Sequence, residues 1–434
     1  MSPESSKPPV SLDAQFVARR QLLAGIFGLP LYTVLGCASQ AKSPAAPPSA
    51  SHTRPAPLQS AVVSSPAPQE PPPPRITEIP LFQHYPALGN RIPYIPLGTW
   101  PTPVDPVPAL GAHLNLDSLY VKRDDVAGTV YGGNKVRKLE TILAEALQQG
   151  RTHVLTFGGY GSNHAIATAA YAREVGLKAT LNLTAEVESE RLRRGLLADL
   201  KFGAEIRITG NLKTQMLMDE CEAHGQPEHG AYIIAPGGTS DLGNVGFVNA
   251  AFELHHQIAR GLLPEPDVIY IPLGSMGSAV GLTLGLQALR MKTRIVAVRT
   301  ATPRFSSERK VQRLFAHLGQ YLRRLDPSFP DLTFDPQRIQ IQEGYIGRGY
   351  AQPTPKGMRA IALVRDTIGL DLDWTYTGKT FAALTDDARS LAGSTVLFWH
   401  TYNSKPLDVS GVDFRELPHP LHAYYLHRSR PPAY

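Results

Sequence analysis

The chain has 434 residues, with 43 Lys and Arg against 37 Asp and Glu, a net charge of +6. Apolar residues make up 42% and charged residues 18%, which excludes a solvated disordered chain and provides for a large core. The positive excess is dilute and forms no Lys/Arg run, which excludes a basic nucleic-acid stripe, and two cysteines exclude a disulfide scaffold or a Cys-rich metal site.

Of the 39 prolines, 15 fall in residues 1–75, so the head of the chain differs in kind from its body. Arg19-Arg20-Gln21 precede an apolar run from Leu22 to Leu35. That run is too short to cross a bilayer comfortably as a helix. It ends in Gly36-Cys37-Ala38-Ser39. A charged start, a short apolar stretch and small residues after it read as a secretory signal over 1–37. The paired arginines resemble a bacterial twin-arginine signal. Gly36-Cys37 resembles a lipoprotein processing site, with Leu35 larger than the usual residue before the glycine. Residues 38–75 are dominated by Pro, Ala and Ser and read as an extended tether. The expectation is an exported protein facing the periplasm or cell exterior, lipid-anchored through Cys37. Its only other cysteine, Cys221, has no internal partner.

The body alternates two periodicities. Strands are expected at Leu119–Lys122, Val154–Phe157, Ala179–Leu183, Ile206–Ile208, Tyr232–Ile234, Val268–Ile271 and Arg294–Val298. Helices are expected at Lys138–Gln149, Ala165–Val175, Glu186–Phe202, Gly243–Arg260 and Ser278–Met291. Strands separated by helices predict an α/β fold with parallel sheets covered on both faces.

Three motifs sit at strand–helix junctions. In Gly132-Gly133-Asn134-Lys135-Val136-Arg137-Lys138 two glycines lead to a lysine at a helix start. The positive helix end, Arg137 and Lys138 all disfavour its protonated form, and such a lysine can form a Schiff base with a carbonyl. The same residues also read as an ordinary basic helix start. Gly158-Gly159-Tyr160-Gly161-Ser162-Asn163-His164 presents backbone N–H groups at a helix N-terminus, suited to a carboxylate. Capping alone would also explain Ser162 and Asn163. Gly274-Ser275-Met276-Gly277-Ser278 has phosphate-cradle geometry. It lacks the Gly-Lys-Ser/Thr ending of a nucleotide P-loop and the Gly-x-Gly-x-x-Gly spacing of a dinucleotide site. A Schiff-base lysine, a phosphate cradle and a carboxylate cradle together fit pyridoxal phosphate and an amino acid.

At these residues the body, roughly 76–405, resembles the D-cysteine desulfhydrase and 1-aminocyclopropane-1-carboxylate deaminase family. The resemblance runs through Lys122-Arg123-Asp124-Asp125, Gly132–Glu140, Ser162-Asn163-His164, Pro236-Gly237-Gly238-Thr239-Ser240, Gly274–Gly281, Gly349-Tyr350 and Tyr376-Thr377-Gly378-Lys379. It implies a tryptophan-synthase-β-like fold with a large lobe, 76–137 plus 246–434, and a smaller lobe, 138–245. It also implies a homodimer and a small amino-acid substrate. Lys135 matches the cofactor lysine and base at Cα, and Tyr350, Tyr376 and Ser162 are the further catalytic candidates. Lys138, Asn163 and Gly274, Ser275, Met276, Gly277 and Ser278 match phosphate-binding positions. Ser162, Asn163 and His164 match the substrate-carboxylate loop.

Thr377 stands where the resembling deaminases carry a glutamate at the pyridine nitrogen. A hydroxyl there implies a weaker electron sink, sufficient to expel sulfide and poorly suited to opening a cyclopropane. With His164 and Thr401 it points to D-cysteine desulfhydrase chemistry. A deaminase of another small amino acid, or a non-catalytic binding protein on the same fold, is the alternative. Tyr402-Asn403 replace the family's Gly-Gly and are expected to narrow the pocket or reshape its turn. Met276 stands where glycine is common.

Overall fold

The computed structural model describes residues 78–210 and 230–426. The expected signal, the tether, Cys37 and Cys221 lie outside them. Ten strands are found among the described residues: β1 (Val104–Pro106), β2 (Ser118–Lys122), β3 (His153–Gly159), β4 (Lys178–Thr184), β5 (Glu205–Ile208), β6 (Tyr232–Ile234), β7 (Val268–Leu273), β8 (Arg294–Arg299), β9 (Ile339–Gln342) and β10 (Thr395–Trp399). Six helices position the site: α1 (Val136–Gln148), α2 (Asn163–Glu174), α3 (Glu190–Lys201), α4 (Asp241–Ala259), α5 (Gly277–Ala288) and α6 (Thr377–Asp387).

The strands form two sheets. The larger has the order β1-β2-β10-β7-β8-β9, with only the edge strand β1 antiparallel. The smaller has the order β5-β4-β3-β6 and is parallel throughout. β7 explains why the large sheet is covered on both faces. Its residues Val-Ile-Tyr-Ile-Pro-Leu are all buried. Side chains alternate across a strand, so Ile269, Ile271 and Leu273 enter one apolar cluster while Val268 and Tyr270 enter another. A third cluster fills the smaller sheet, where α2 contributes Ala165, Ala167, Ala169 and Ala170.

A buried ion cluster ties α1 to the large sheet. Arg137 donates to Asp124 at 2.7 and 2.9 Å and to Glu253 at 2.9 Å. Lys122 donates to Glu253 at 2.5 Å, and the Trp399 indole donates to Asp124 at 2.8 Å. The cluster therefore joins β2, α1, α4 and β10 immediately behind the Lys135 turn.

Two helix starts differ from expectation. The helix expected from Glu186 begins at Glu190, because Ser189 caps it by accepting the Leu192 N–H at 3.0 Å. This leaves Glu186 in a loop whose carboxylate accepts the Gly161 N–H at 3.2 Å. The helix expected from Gly243 begins at Asp241, where Ser240 accepts the Gly243 N–H at 3.0 Å. No helix among the described residues is long and apolar enough to cross a membrane.

Candidate active site

β3 ends in Gly158-Gly159 and β7 runs into Gly274, and both strand ends open onto a cavity of about 430 Å³. Outside the carboxyl ends of parallel strands is where α/β folds place ligands. Lys135, Ser162, Asn163, His164, Gly274, Ser275, Met276, Ser278, Tyr350 and Tyr376 all line it.

Lys135 is held by a turn that requires glycine. A Cβ on Gly132 would lie 1.9 Å from the Asp125 carbonyl, and Gly133 has φ +96°. The Lys135 amine donates to Asn134 Oδ1 at 2.8 Å, and Asn134 Nδ2 donates to Ser278 Oγ at 3.0 Å. Burial lowers the Lys135 pKa to about 8, against the pull of Asp373. Arg137 does not contribute as expected, because its guanidinium is turned into the Asp124–Glu253 cluster. Lys138 is itself held well below the usual lysine range by burial and by Lys135.

Gly274, Ser275, Met276 and Ser278 line one end of the cavity, and Lys138, Thr239 and Asn244 stand behind them, outside its lining. Lys138 Nζ reaches the Gly237 carbonyl at 3.1 Å, Thr239 Oγ1 at 3.2 Å and Asn244 Oδ1 at 3.4 Å. Thr239 donates to Ser275 Oγ at 2.7 Å. A Cβ on Gly277 would lie 2.1 Å from Asn244 Oδ1 and 2.6 Å from Lys138 Nζ, so glycine at the first residue of α5 leaves room for both side chains. Asn244 Nδ2 is buried without a partner. A lysine, hydroxyls, an idle amide donor and a helix N-terminus form a set suited to a phosphate. The residues present therefore fit pyridoxal phosphate, with Lys135 available to its aldehyde. Ser278 lines the cavity, but its hydroxyl accepts from Asn134.

Ser162 caps α2, accepting the Ala165 N–H at 3.2 Å. Asn163 Oδ1 accepts from Arg191 at 3.0 Å and from the Tyr131 hydroxyl at 3.3 Å. His164 Nε2 lies 2.9 Å from Thr156 Oγ1, whose proton goes to the Ile234 carbonyl. The imidazole must therefore donate through Nε2, which leaves Nδ1 an acceptor. Burial together with Lys135 and Lys138 keeps the ring neutral. A carboxylate thus finds donors in Ser162, Asn163 and the first turn of α2, and none in the His164 ring.

The Tyr350 and Tyr376 hydroxyls share a short hydrogen bond, with ring centroids 6.0 Å apart and edge-on. Burial raises both pKa values, so both are protonated at neutral pH. Thr377, expected beside the cofactor, is fully buried and lies behind the cavity wall. Its hydroxyl donates to Asp373 Oδ1 at 2.7 Å and accepts the Asp373 N–H at 2.8 Å. Neither Tyr402 nor Asn403 is among the residues that line the cavity. Asn403 accepts the Gly132 N–H at 2.6 Å and so braces the lysine turn, while Tyr402 lies against Arg191.

Sequence reasoning missed Asn134, Glu186, Arg191, Asn244 and Asp373. Thr239 was within reach, lying inside the Pro236–Ser240 segment that carries the family resemblance. Arg191 and Glu186 read as parts of a charged helix. Asp373 carries a local signal, since its carboxylate accepts the N–H groups of Thr375, Tyr376 and Thr377 ahead of α6.

The model of the family described as "Pyridoxal-phosphate dependent enzyme" matches residues 95–401. The chain is 34% identical to a putative 1-aminocyclopropane-1-carboxylate deaminase of Pyrococcus abyssi, over 73% of this chain and 93% of that protein. It is 33% identical to a D-cysteine desulfhydrase of Salmonella choleraesuis, over 72% of this chain and 94% of that protein. A crystal structure of an ACC deaminase homologue superposes with a TM-score of 0.62 at 30% identity, covering 74% of this chain and 94% of the other. The fold and site therefore define a pyridoxal-phosphate-dependent enzyme. The chain belongs to the family that holds the D-cysteine desulfhydrases and the 1-aminocyclopropane-1-carboxylate deaminases.

Proposed function

We propose that this enzyme is a D-cysteine desulfhydrase-like lyase, forming sulfide, pyruvate and ammonia. The observation that carries the reading is the cavity wall, which contains no Asp or Glu among its described residues. Thr377, at the position of the deaminases' glutamate, has its proton engaged by Asp373. Without a carboxylate at the ring nitrogen the electron sink is modest, which favours a substrate with a good leaving group.

When bound, pyridoxal phosphate supplies the aldehyde that takes the substrate amine and the ring that withdraws electrons from Cα. Lys138, Thr239, Asn244 and the α5 N-terminus hold its phosphate. Ser162, Asn163 and the first turn of α2 hold the substrate carboxylate. Lys135, whose amine burial makes less prone to protonation, takes the Cα proton. The Cα–H and C–S bonds break, and the sulfur leaves with a proton from the Tyr350–Tyr376 pair. Water then divides the remaining enamine into pyruvate and ammonia.

The test is product formation by the cofactor-loaded chain with D-cysteine, L-cysteine and 1-aminocyclopropane-1-carboxylate in parallel. Sulfide from D-cysteine alone, abolished by Lys135→Ala, supports the reading. A keto acid from the cyclopropane substrate, with no sulfide from cysteine, would replace it with deaminase chemistry. That second reading accords with the 34% identity to the Pyrococcus protein, as the first does with the 33% identity to the Salmonella protein.

A further inference from the structure

Arg191 lies outside the cavity wall and outside the chemistry described so far. It projects from α3 toward the Gly161–Asn163 loop. Its Nη1 donates to the Gly161 carbonyl at 2.9 Å and to Asn163 Oδ1 at 3.0 Å. Nη2 reaches Thr375 Oγ1 at 3.5 Å, and Nε is buried without a partner. Among the described residues no carboxylate lies within ion-pair distance of the guanidinium. Glu186 and Asp373 act on it only from further off. The guanidinium is half-buried, and Tyr402, Asp373 and Glu186 together favour its charged form in spite of burial, so a cation stands behind the Asn163 loop.

The contact also settles the orientation of Asn163. Arginine has donors and no acceptor, so the amide atom facing it must be Oδ1. The Tyr131 hydroxyl donates to the same oxygen. Among the described residues Asn163 Nδ2 has no hydrogen-bond partner, and Asn163 lines the cavity. The donor end of the amide is thus left for a ligand.

We propose that Arg191 is a positioning residue for the substrate carboxylate: it locks the Asn163 amide with its donor free for the cavity and sets a half-buried positive charge behind it. The proposal rests on the reading of the cavity as an amino-acid site. It makes the enzyme selective for a free α-carboxylate over the corresponding amide or ester.

The experiment is a titration of the cofactor-loaded chain with alanine and with alaninamide, each in both hands, followed by the cofactor's visible absorbance. Alanine has no β leaving group, so binding is read without turnover. The wild-type protein is expected to prefer alanine. Arg191→Met is expected to weaken alanine by about tenfold or more, the worth of a hydrogen bond to a charged group, and to leave alaninamide unchanged. Arg191→Lys, which keeps the charge, is expected to recover part of the loss. With cysteine the Arg191→Met change should appear in KM more than in kcat. Equal weakening of both ligands, or none, in a variant with unaltered cofactor absorbance would overturn the proposal. If Arg191→Met does not fold, the wild-type titration still decides, because equal affinity for alanine and alaninamide would also overturn it. No spectral response to either ligand would overturn the amino-acid reading and this proposal with it.

Discussion

Lys135 owes its depressed pKa to burial and not to its basic neighbours. The sign of the effect is testable. Only the neutral amine attacks an aldehyde, and a lysine at about 8 is mostly protonated at pH 7. Capture of pyridoxal phosphate by the cofactor-free protein should therefore accelerate by about tenfold from pH 7 and level off above pH 9, with its midpoint near 8. A rate that still climbs beyond pH 10, as for an unperturbed lysine, would contradict the burial argument. Met276 poses a second question at this scale. It has φ +69° and ψ −30°, a conformation that favours glycine, yet its side chain is buried in the large-sheet core. Strain of about 1–3 kcal/mol opposes burial worth about 1.5–3 kcal/mol. Met276→Gly should shift the thermal midpoint little, because the two effects offset. Met276→Val adds β-branching at positive φ and should lower the midpoint clearly.

At the scale of elements, the ion cluster behind α1 sets where Lys135 sits. Glu253 receives both Arg137 and Lys122, and these cations hold its pKa down at about 2 in spite of burial. A carboxylate depressed in the folded state contributes stability above its unfolded pKa and loses it as pH falls toward the folded value. The cluster should therefore weaken progressively below about pH 4. Glu253→Gln leaves two buried cations under-compensated and should cost about 3–5 kcal/mol, read as a lowered denaturation midpoint. Such local and non-local contributions also divide what was legible in the sequence. Strand–turn–helix junctions were legible because glycines, caps and apolar runs act within a few residues: β3 into α2 and β7 into α5 are examples. The first helices fell within a few residues of expectation, and the errors came from caps, as at Ser189 and Ser240. Arg191 and Asn244 were not legible as site residues, because each gains its role by reaching a segment distant in sequence, whereas Asp373 acts on the residues that follow it. Thr377 shows the converse. Its match to the deaminases' glutamate position implied a cofactor contact, and in the structure its hydroxyl donates to Asp373, a partner the sequence reading did not single out. β1, β9 and β10 lay outside the sequence reading, although Thr395–Trp399 is an apolar run and β10 sits at the middle of the large sheet, between β2 and β7.

At the scale of the whole molecule, the catalytic cavity is lined by residues between Asn134 and Thr401, far from the head of the chain in sequence. We propose that the head exports and anchors the enzyme, on the strength of Arg19-Arg20, the Leu22–Leu35 run, Gly36-Cys37 and the Pro-rich stretch that follows. The two functions should then be separable. A twin-arginine route carries folded proteins, so the cofactor can be captured before export and the site need not assemble outside. In a bacterial host the full chain should fractionate with membranes and require detergent for release. Cys37→Ala should release it into the soluble exported fraction with its cofactor absorbance intact, since no residue of the cavity is changed. Arg19→Lys with Arg20→Lys should instead retain a cofactor-loaded protein in the cytoplasm. Detergent-dependent extraction of the Cys37→Ala protein would rule out the lipid anchor. Export of the lysine variant without its cofactor would rule out loading before translocation, because an unfolded route would then be carrying the chain.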